Sequence, residues 1–281
     1  MCDTITLASG LTWPSSLAVD ETHVYWTTYA TNSIAKAPIT GGPTSVLATD
    51  QAAAYQIVVR DGYVFWTAGS EPALLKLPIG GGTPIELFVG TPSASGIAIH
   101  AEDVYFTSVS TDAILKVPAA GGPGVEVISG LQTPNSVAVD AGFVYWTDSG
   151  ADTVMMAALG GGPALQLAAE GTNPGSIAVD ATHVYWVGDA VMKIPIGGGA
   201  ATTLATAFVP QQLVIDEDHV YFTDGSENVS KVSKTGGEPI VLASDQNRPS
   251  GIAVDATSVY WCNFGSFEED STDGSVMKVA K

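Results

Sequence analysis

Ser136-Val137-Ala138-Val139-Asp140, a short turn, and then Val144-Tyr145-Trp146-Thr147-Asp148 is the stretch whose reading decides the fold, because the chain repeats it along its length. A Val-aromatic-aromatic triplet begins at Val24, Val64, Val104, Val144, Val184, Val220 and Val259, at successive spacings of 40, 40, 40, 40, 36 and 39. Self-similarity at such a period marks a repeat architecture, whatever domain count the length of 281 residues suggests. Fourteen of the 23 aromatic residues (Trp 6, Tyr 9, Phe 8) fill the triplets, so most of the aromatic content serves the repeat.

Working outward, each unit reads as four short strands. The first resembles Ser16–Asp20 and the second carries the triplet. The third holds a basic residue before a frequent proline, as in Ile34-Ala35-Lys36-Ala37-Pro38. A Gly-Gly turn such as Gly41-Gly42 leads to the fourth, Ser45-Val46-Leu47-Ala48. These runs are rich in Val, Ile, Tyr and Trp and bounded by Gly, Pro, Asp and Ser, and none shows a helical period. The expected fold is all-β: a seven-bladed β-propeller of four-stranded antiparallel blades, one domain over residues 1–281. The last unit stops at a third strand, and Thr4-Ile5-Thr6-Leu7-Ala8 aligns with the fourth strand of blade 1. Residues 4–8 are therefore expected beside 275–279, which closes the ring and removes its free edges.

The runs Tyr145-Trp146-Thr147-Asp148 and Tyr221-Phe222-Thr223-Asp224, each with an apolar run ending in Asp upstream, resemble the YWTD repeats of lipoprotein-receptor propellers and their NHL-like bacterial relatives. The resemblance spans the chain as a repeat pattern. It departs in blade number, since the receptor domains have six, and in the aspartate, whose place is taken elsewhere by Thr28, Ala68, Ser108, Gly188 and Asn263. Virginiamycin B lyase is similar in general seven-bladed architecture, but its catalytic His/Glu arrangement finds no place here. The resemblance implies fold rather than activity. The setting expected with it is extracytoplasmic (periplasmic, surface or secreted) and bacterial, with a monomeric protein.

Ten Lys+Arg against 29 Asp+Glu give a net charge of −19, which repels nucleic acid and anionic membrane surfaces. No run approaches the ~18 apolar residues of a membrane helix, and Met1-Cys2-Asp3 leads straight into a strand-like run, so no signal peptide is expected. The aspartates ending first strands (Asp20, Asp140, Asp180, Asp216, Asp255) are expected to accept N–H groups of the following turn. The third-strand lysines (Lys36, Lys76, Lys116, Lys193, Lys231, Lys278) are expected to lie between blades and pair with carboxylates. His23, His100, His183 and His219 are spread by the repeat and form no zinc set. The triple-glycine runs belong to hairpin turns rather than phosphate cradles, and no G-x-S-x-G elbow occurs. Cys2 and Cys262 are separated by about two strand spacings, roughly 9.5 Å, so they are expected unbridged.

Individuality lies where the repeat breaks. The loop Asn263–Gly274 contains a seven-residue insertion relative to blades 1 and 2 and carries Phe264, Phe267, Glu268, Glu269, Asp270 and Asp273. Its oxygens suit calcium, but the spacing is not that of an EF-hand, and a solvated loop with no cofactor is the expected reading. Six of the nine aromatics outside the triplets fall in loops that open on one face: Trp13, Tyr29, Tyr55, Phe208, Phe264 and Phe267. With Arg248 and Asn263 they form the candidate ligand-binding set, aromatic platforms beside carboxylates that suit a small molecule, glycan, peptide or cationic group. The first expectation is thus a non-enzymatic binding or scaffold propeller. The alternative is a lyase or hydrolase at the channel mouth, where Asn135, Asp148, Asp224 and Asn263 hold a cation that polarises a substrate carbonyl.

Overall fold

Alternate residues of a strand face opposite sides, and in the aromatic triplet that alternation builds a ring. In the computed structural model, which describes residues 3–71, 73–90, 93–169, 173–268 and 271–281, Val24 and Trp26 face back to Tyr260 and Val276 of the last blade. Tyr25 faces forward to Ile57 and Trp66 of blade 2. The same two-sided packing recurs around the molecule, and the tryptophans of all five tryptophan-bearing triplets are fully buried. Each such ring removes a large apolar area from water at about 25 cal/mol per Å², so the core consists of the seams between blades.

Seven four-stranded antiparallel sheets result, and no helix occurs among the described residues. Blade 1 consists of Pro14–Val19, His23–Thr28, Ser33–Pro38 and Ser45–Ala48. Blade 7 consists of Pro249–Val254, Ser258–Asn263 and Gly274–Ala280, with the N-terminal strand Ile5–Leu11 as its outermost member. The expected closure is met: Ile5 pairs with Lys278 and Ala8 with Val276. The strand runs on past Ala8 to set Leu11 against Gly274.

Hydrogen bonds cross the same seams. The threonine after a triplet donates to a carbonyl in or just before the first strand of the next blade: Thr27 to Tyr55, Thr67 to Ser95, Thr107 to Asn135, Thr147 to Gly175 and Thr223 to Ser250. Val187 and Cys262 hold this place in blades 5 and 7. Cys262 is a free, fully buried thiol; Cys2 lies outside the described residues. The third-strand lysines also reach forward, but mostly to carbonyls rather than to the expected carboxylates. Lys36 donates to Ile79 O, Lys76 to Ala119 O, Lys193 to Lys234 O and Lys278 to Ile39 O, while Lys116 pairs with Asp103. The reason is geometric: the residue after the neighbour's third strand presents its carbonyl at the reach of a lysine stem.

The aspartate turns form as expected, with a partner the sequence reading did not include. Asp20 Oδ1 accepts the N–H groups of Thr22 and His23, and Oδ2 accepts the Tyr25 hydroxyl at 2.7 Å. Asp140, Asp180, Asp216 and Asp255 repeat the arrangement with Tyr145, Tyr185, Tyr221 and Tyr260. Lys234 and Lys281, each just past a third strand, reach back to Asp180 and Asp216 of the preceding blade at 2.7 Å.

Candidate functional site

The loops from second to third strand and the links between blades emerge at one end of the ring. There the residue entering a blade adopts a left-handed backbone, as at Trp13, Ala53, Ser93, Asn173, Val209 and Arg248. The conformation belongs to the fold; the side chain it displays varies. It is small or polar on blades 2, 3 and 5 and large on the contiguous blades 6, 7 and 1, where Val209, Arg248 and Trp13 stand.

The insertion folds over this sector. Trp13 and Phe264 stack with centroids 5.8 Å apart and 6° between planes. Phe267 meets Trp13 edge-on at 6.4 Å and Phe264 at 5.3 Å. Tyr29 lies 6.5 Å from Trp13. The Trp13 indole N–H donates to Ser266 O at 2.8 Å, tying the insertion to blade 1. Asp273 organises the loop's other end, accepting from Ser266 N, from Asn247 Nδ2 and from the Ser271 hydroxyl. These bonds, the Ser271 hydroxyl first, hold its carboxyl down at about 2. The Asp273 carboxylate, one of those the sequence offers to calcium, is thus a loop clasp, and Glu269 and Asp270 lie outside the described residues.

Two cavities flank the stack. One of about 600 Å³ lies between blades 6 and 7, with Phe208, Asp224, Glu227, Arg248, Phe264 and Phe267 in its wall. A second of about 420 Å³ opens over the channel mouth between Tyr29, Tyr55, Gln212 and Phe264. Phe264 and Ser250 belong to both, so the two form one groove with Phe264 as its ridge. Phe208 and Phe267 remain 67% and 66% exposed, an unusual state for phenylalanine. The Arg248 guanidinium lies 3.8 Å from the Phe267 centroid.

The structure therefore brings Trp13, Tyr29, Tyr55, Phe208, Arg248, Phe264 and Phe267 to one rim. Tyr55 does so from inside a strand, Ala54–Arg60, rather than from the blade link where the sequence reading placed it. Asn263 departs from expectation. It is buried, its amide accepting from Trp261 Nε1 and donating to Gln246 Oε1 and Ser275 Oγ, so it supports the loop from below. Gln246, which sequence reasoning passed over, completes this support by accepting from the same indole. The indole N–H groups of Trp26, Trp66, Trp146 and Trp186 have no such partner among the described residues.

The proposed cation set is not assembled. Asn135 and Asp148 belong to blade 4, Asp224 to blade 6 and Asn263 to blade 7. Asp148 spends its carboxylate on the N–H groups of Gln132, Thr133 and Ala151, and Asp224 Oδ1 accepts from Ser226 and Asn228. Among the described residues no three His, Cys, Asp or Glu lie within reach of a common ion. The central channel is walled by aliphatics such as Leu17, Val58, Ile97 and Val137, with Ser and Gln as its polar groups.

No protein-family model matches the chain, and no curated protein sequence matches it. Solved structures do. A virginiamycin B lyase from Staphylococcus aureus superposes with a TM-score of 0.82 at 15% identity, over 99% of both chains. U3-55K gives 0.84 at 14% identity, over 99% of this chain and 98% of that one. A chain of a nidogen–laminin complex gives 0.61 at 21% identity, over 71% and 84%. Likeness at these identities speaks to fold alone: the chain shares the propeller architecture with proteins that range from a lyase to a member of a protein complex.

Proposed function

We propose that this chain is a non-enzymatic binding propeller that recognises its ligand through the rim groove of blades 6, 7, 1 and 2. The observation that carries the reading is the groove itself: open phenylalanine faces held at fixed angles by a stack that joins both ends of the chain. A cavity of about 600 Å³ lies within the usual range for small-ligand sites, which are mostly apolar with a few placed polar groups. The aromatic rings suit the flat faces of glycans, peptides and aryl compounds. A cationic ligand fits less well, because Arg248 already occupies the face of Phe267.

Trp13 and Phe264 are structural as well as displayed, so the direct probes are Phe208→Ala and Phe267→Ala. A ligand found by screening peptide and glycan arrays loses affinity at least tenfold in the double variant, while thermal unfolding shifts only slightly because both rings are two-thirds exposed. Full affinity in that variant rules the groove out as the site.

A further inference from the structure

We infer that the cavity between blades 6 and 7 takes a ligand with a carboxylate on an apolar body, and that Arg248 is the partner of that carboxylate. This rests on the rim-groove reading and adds the chemistry of the ligand.

The argument begins with where the cations lie. Of ten basic residues, Lys36, Lys116 and Lys278 lie in the second half of third strands, Lys76, Lys193 and Lys231 at the middle of theirs, Lys234 and Lys281 follow third strands, and Arg60 ends a first strand. Arg60, Lys234 and Lys281 lie at the end of the ring opposite the groove, and Lys36, Lys76, Lys116, Lys193 and Lys278 reach toward that end for their partners. Arg248 is the one basic residue of the rim face. It stands in a link between blades, at a repeat position that displays its side chain outward.

Among the described residues no carboxylate lies within ion-pair distance of the Arg248 guanidinium, although the chain carries 29 acidic residues. Two acids share the cavity wall: Asp224 is buried with Oδ1 committed to turn N–H groups, and Glu227 is exposed to solvent and not ion-paired to Arg248. The guanidinium carbon sits over the Phe267 ring at 3.8 Å, and a guanidinium lying on an aromatic face keeps its N–H edge for an acceptor in the plane. Carboxylates match that edge with two parallel hydrogen bonds. The Arg248 backbone is pinned on both sides, its N–H to Gln246 O and its carbonyl to Phe264 N–H, so the ordering left to binding is that of the side chain alone.

The net charge of −19 opposes anions at long range, but that field is screened beyond about 8 Å at physiological salt. A short-range pair on an aromatic bed survives the screening. The apolar half of the ligand follows from the exposed rings of Phe208 and Phe267 on the same wall.

Two compounds that differ only in charge test this: N-acetyltryptophan and N-acetyltryptophanamide, titrated calorimetrically into the full chain. The acid is expected to bind about tenfold tighter than the amide, equivalent to about 1.4 kcal/mol. That preference disappears in Arg248→Gln, persists in part in Arg248→Lys, and shrinks with added salt. Equal affinity for acid and amide, or a preference that survives Arg248→Gln, overturns the assignment. If both bind equally and both are lost in Phe267→Ala, the groove stands and the carboxylate partner falls. Binding of neither compound overturns the inference, while the array screen judges the groove on its own. Methyl glucuronide binding as tightly as the aryl acid removes the apolar half.

Discussion

Trp13 and Phe264 come from opposite ends of the chain and lie parallel, 5.8 Å between centroids and 6° between planes. Their contact makes the groove a product of ring closure, since it forms only where blade 7 meets blade 1. Trp13→Ala removes the stack, the edge contact with Phe267, the tilted contact with Tyr29 and the bond to Ser266 O. For a half-buried tryptophan the expected loss is about 2 kcal/mol, below the cost of a fully buried one. The insertion should also become a preferred site of proteolysis. Trp13→Phe keeps the stacking and loses about half as much. Urea midpoints and limited proteolysis measure both effects.

The seams are not equally tight. A Cβ on Gly251 would stand 2.7 Å from Ser16 Cα and 2.8 Å from Ser15 O, and one on Gly96 would stand 2.8 Å from Asn135 O. Both glycines occupy the first-strand place that Ser16, Ser136 and Ser176 fill elsewhere, and they let adjacent backbones approach. Gly251→Ala must push blade 7 from blade 1, at about 1–3 kcal/mol. Gly80→Ala meets nothing within 4 Å and should be neutral or slightly stabilising. A pair of thermal unfolding curves separates them; equal midpoints would show that the seam yields freely.

The fold was legible because its determinants are periodic. Val24, Tyr25 and Trp26 announce strand alternation, and the missing fourth strand of the last unit announces Ile5–Leu11. The rim aromatics were legible for the same reason: strand direction sorts loops between two ends. What depends on side-chain reach was not. Nothing in the sequence says that Lys36 prefers Ile79 O to a carboxylate, or that Asn263 turns inward to Trp261. Asp148 and Asp224 looked available because the turn N–H groups that occupy them carry no side-chain signature.

The aspartate–tyrosine turns set an alkaline limit. Burial first, then the hydrogen bond to aspartate and its charge, push the hydroxyls of Tyr25, Tyr145, Tyr185, Tyr221 and Tyr260 well above the ordinary value of 10.0. A raised folded-state value stabilises fully below the unfolded value and is lost as pH climbs past it. Stability should therefore fall above about pH 10, with tyrosinate absorbance rising together with unfolding. Replacing Tyr25 and Tyr260 by Phe should flatten that fall.

At the acid edge the sign reverses. Burial raises Asp180 and Asp216, but Lys234 and Lys281, with the turn N–H groups and the tyrosine hydroxyls, outweigh it and leave both far below 3.8. Depressed carboxyls stabilise above the unfolded value and lose that contribution as pH drops below it. Lys234→Met and Lys281→Met should each raise the pH of acid unfolding while leaving the alkaline limit in place. An unchanged acid midpoint in the double variant would show that the N–H groups alone hold these carboxylates.

Cys262 stands where five other blades carry a threonine that bonds across to the next blade. Its thiol is wholly buried, and burial pushes its ionisation well above the ordinary value, so Cys262 in the native protein should resist thiol reagents. At this seam Ser250 Oγ bonds to Pro14 O at 3.3 Å and does part of the missing work. Cys262→Thr restores a donor facing the carbonyl of Ser15, the counterpart of Tyr55 in blade 1. A net hydrogen bond contributes about 1 kcal/mol, and threonine is close to cysteine in size, so the variant is expected to be more stable by roughly that amount. A lower unfolding midpoint in Cys262→Thr would mean that the closing seam has been packed around sulfur and does not accept the geometry of the other five.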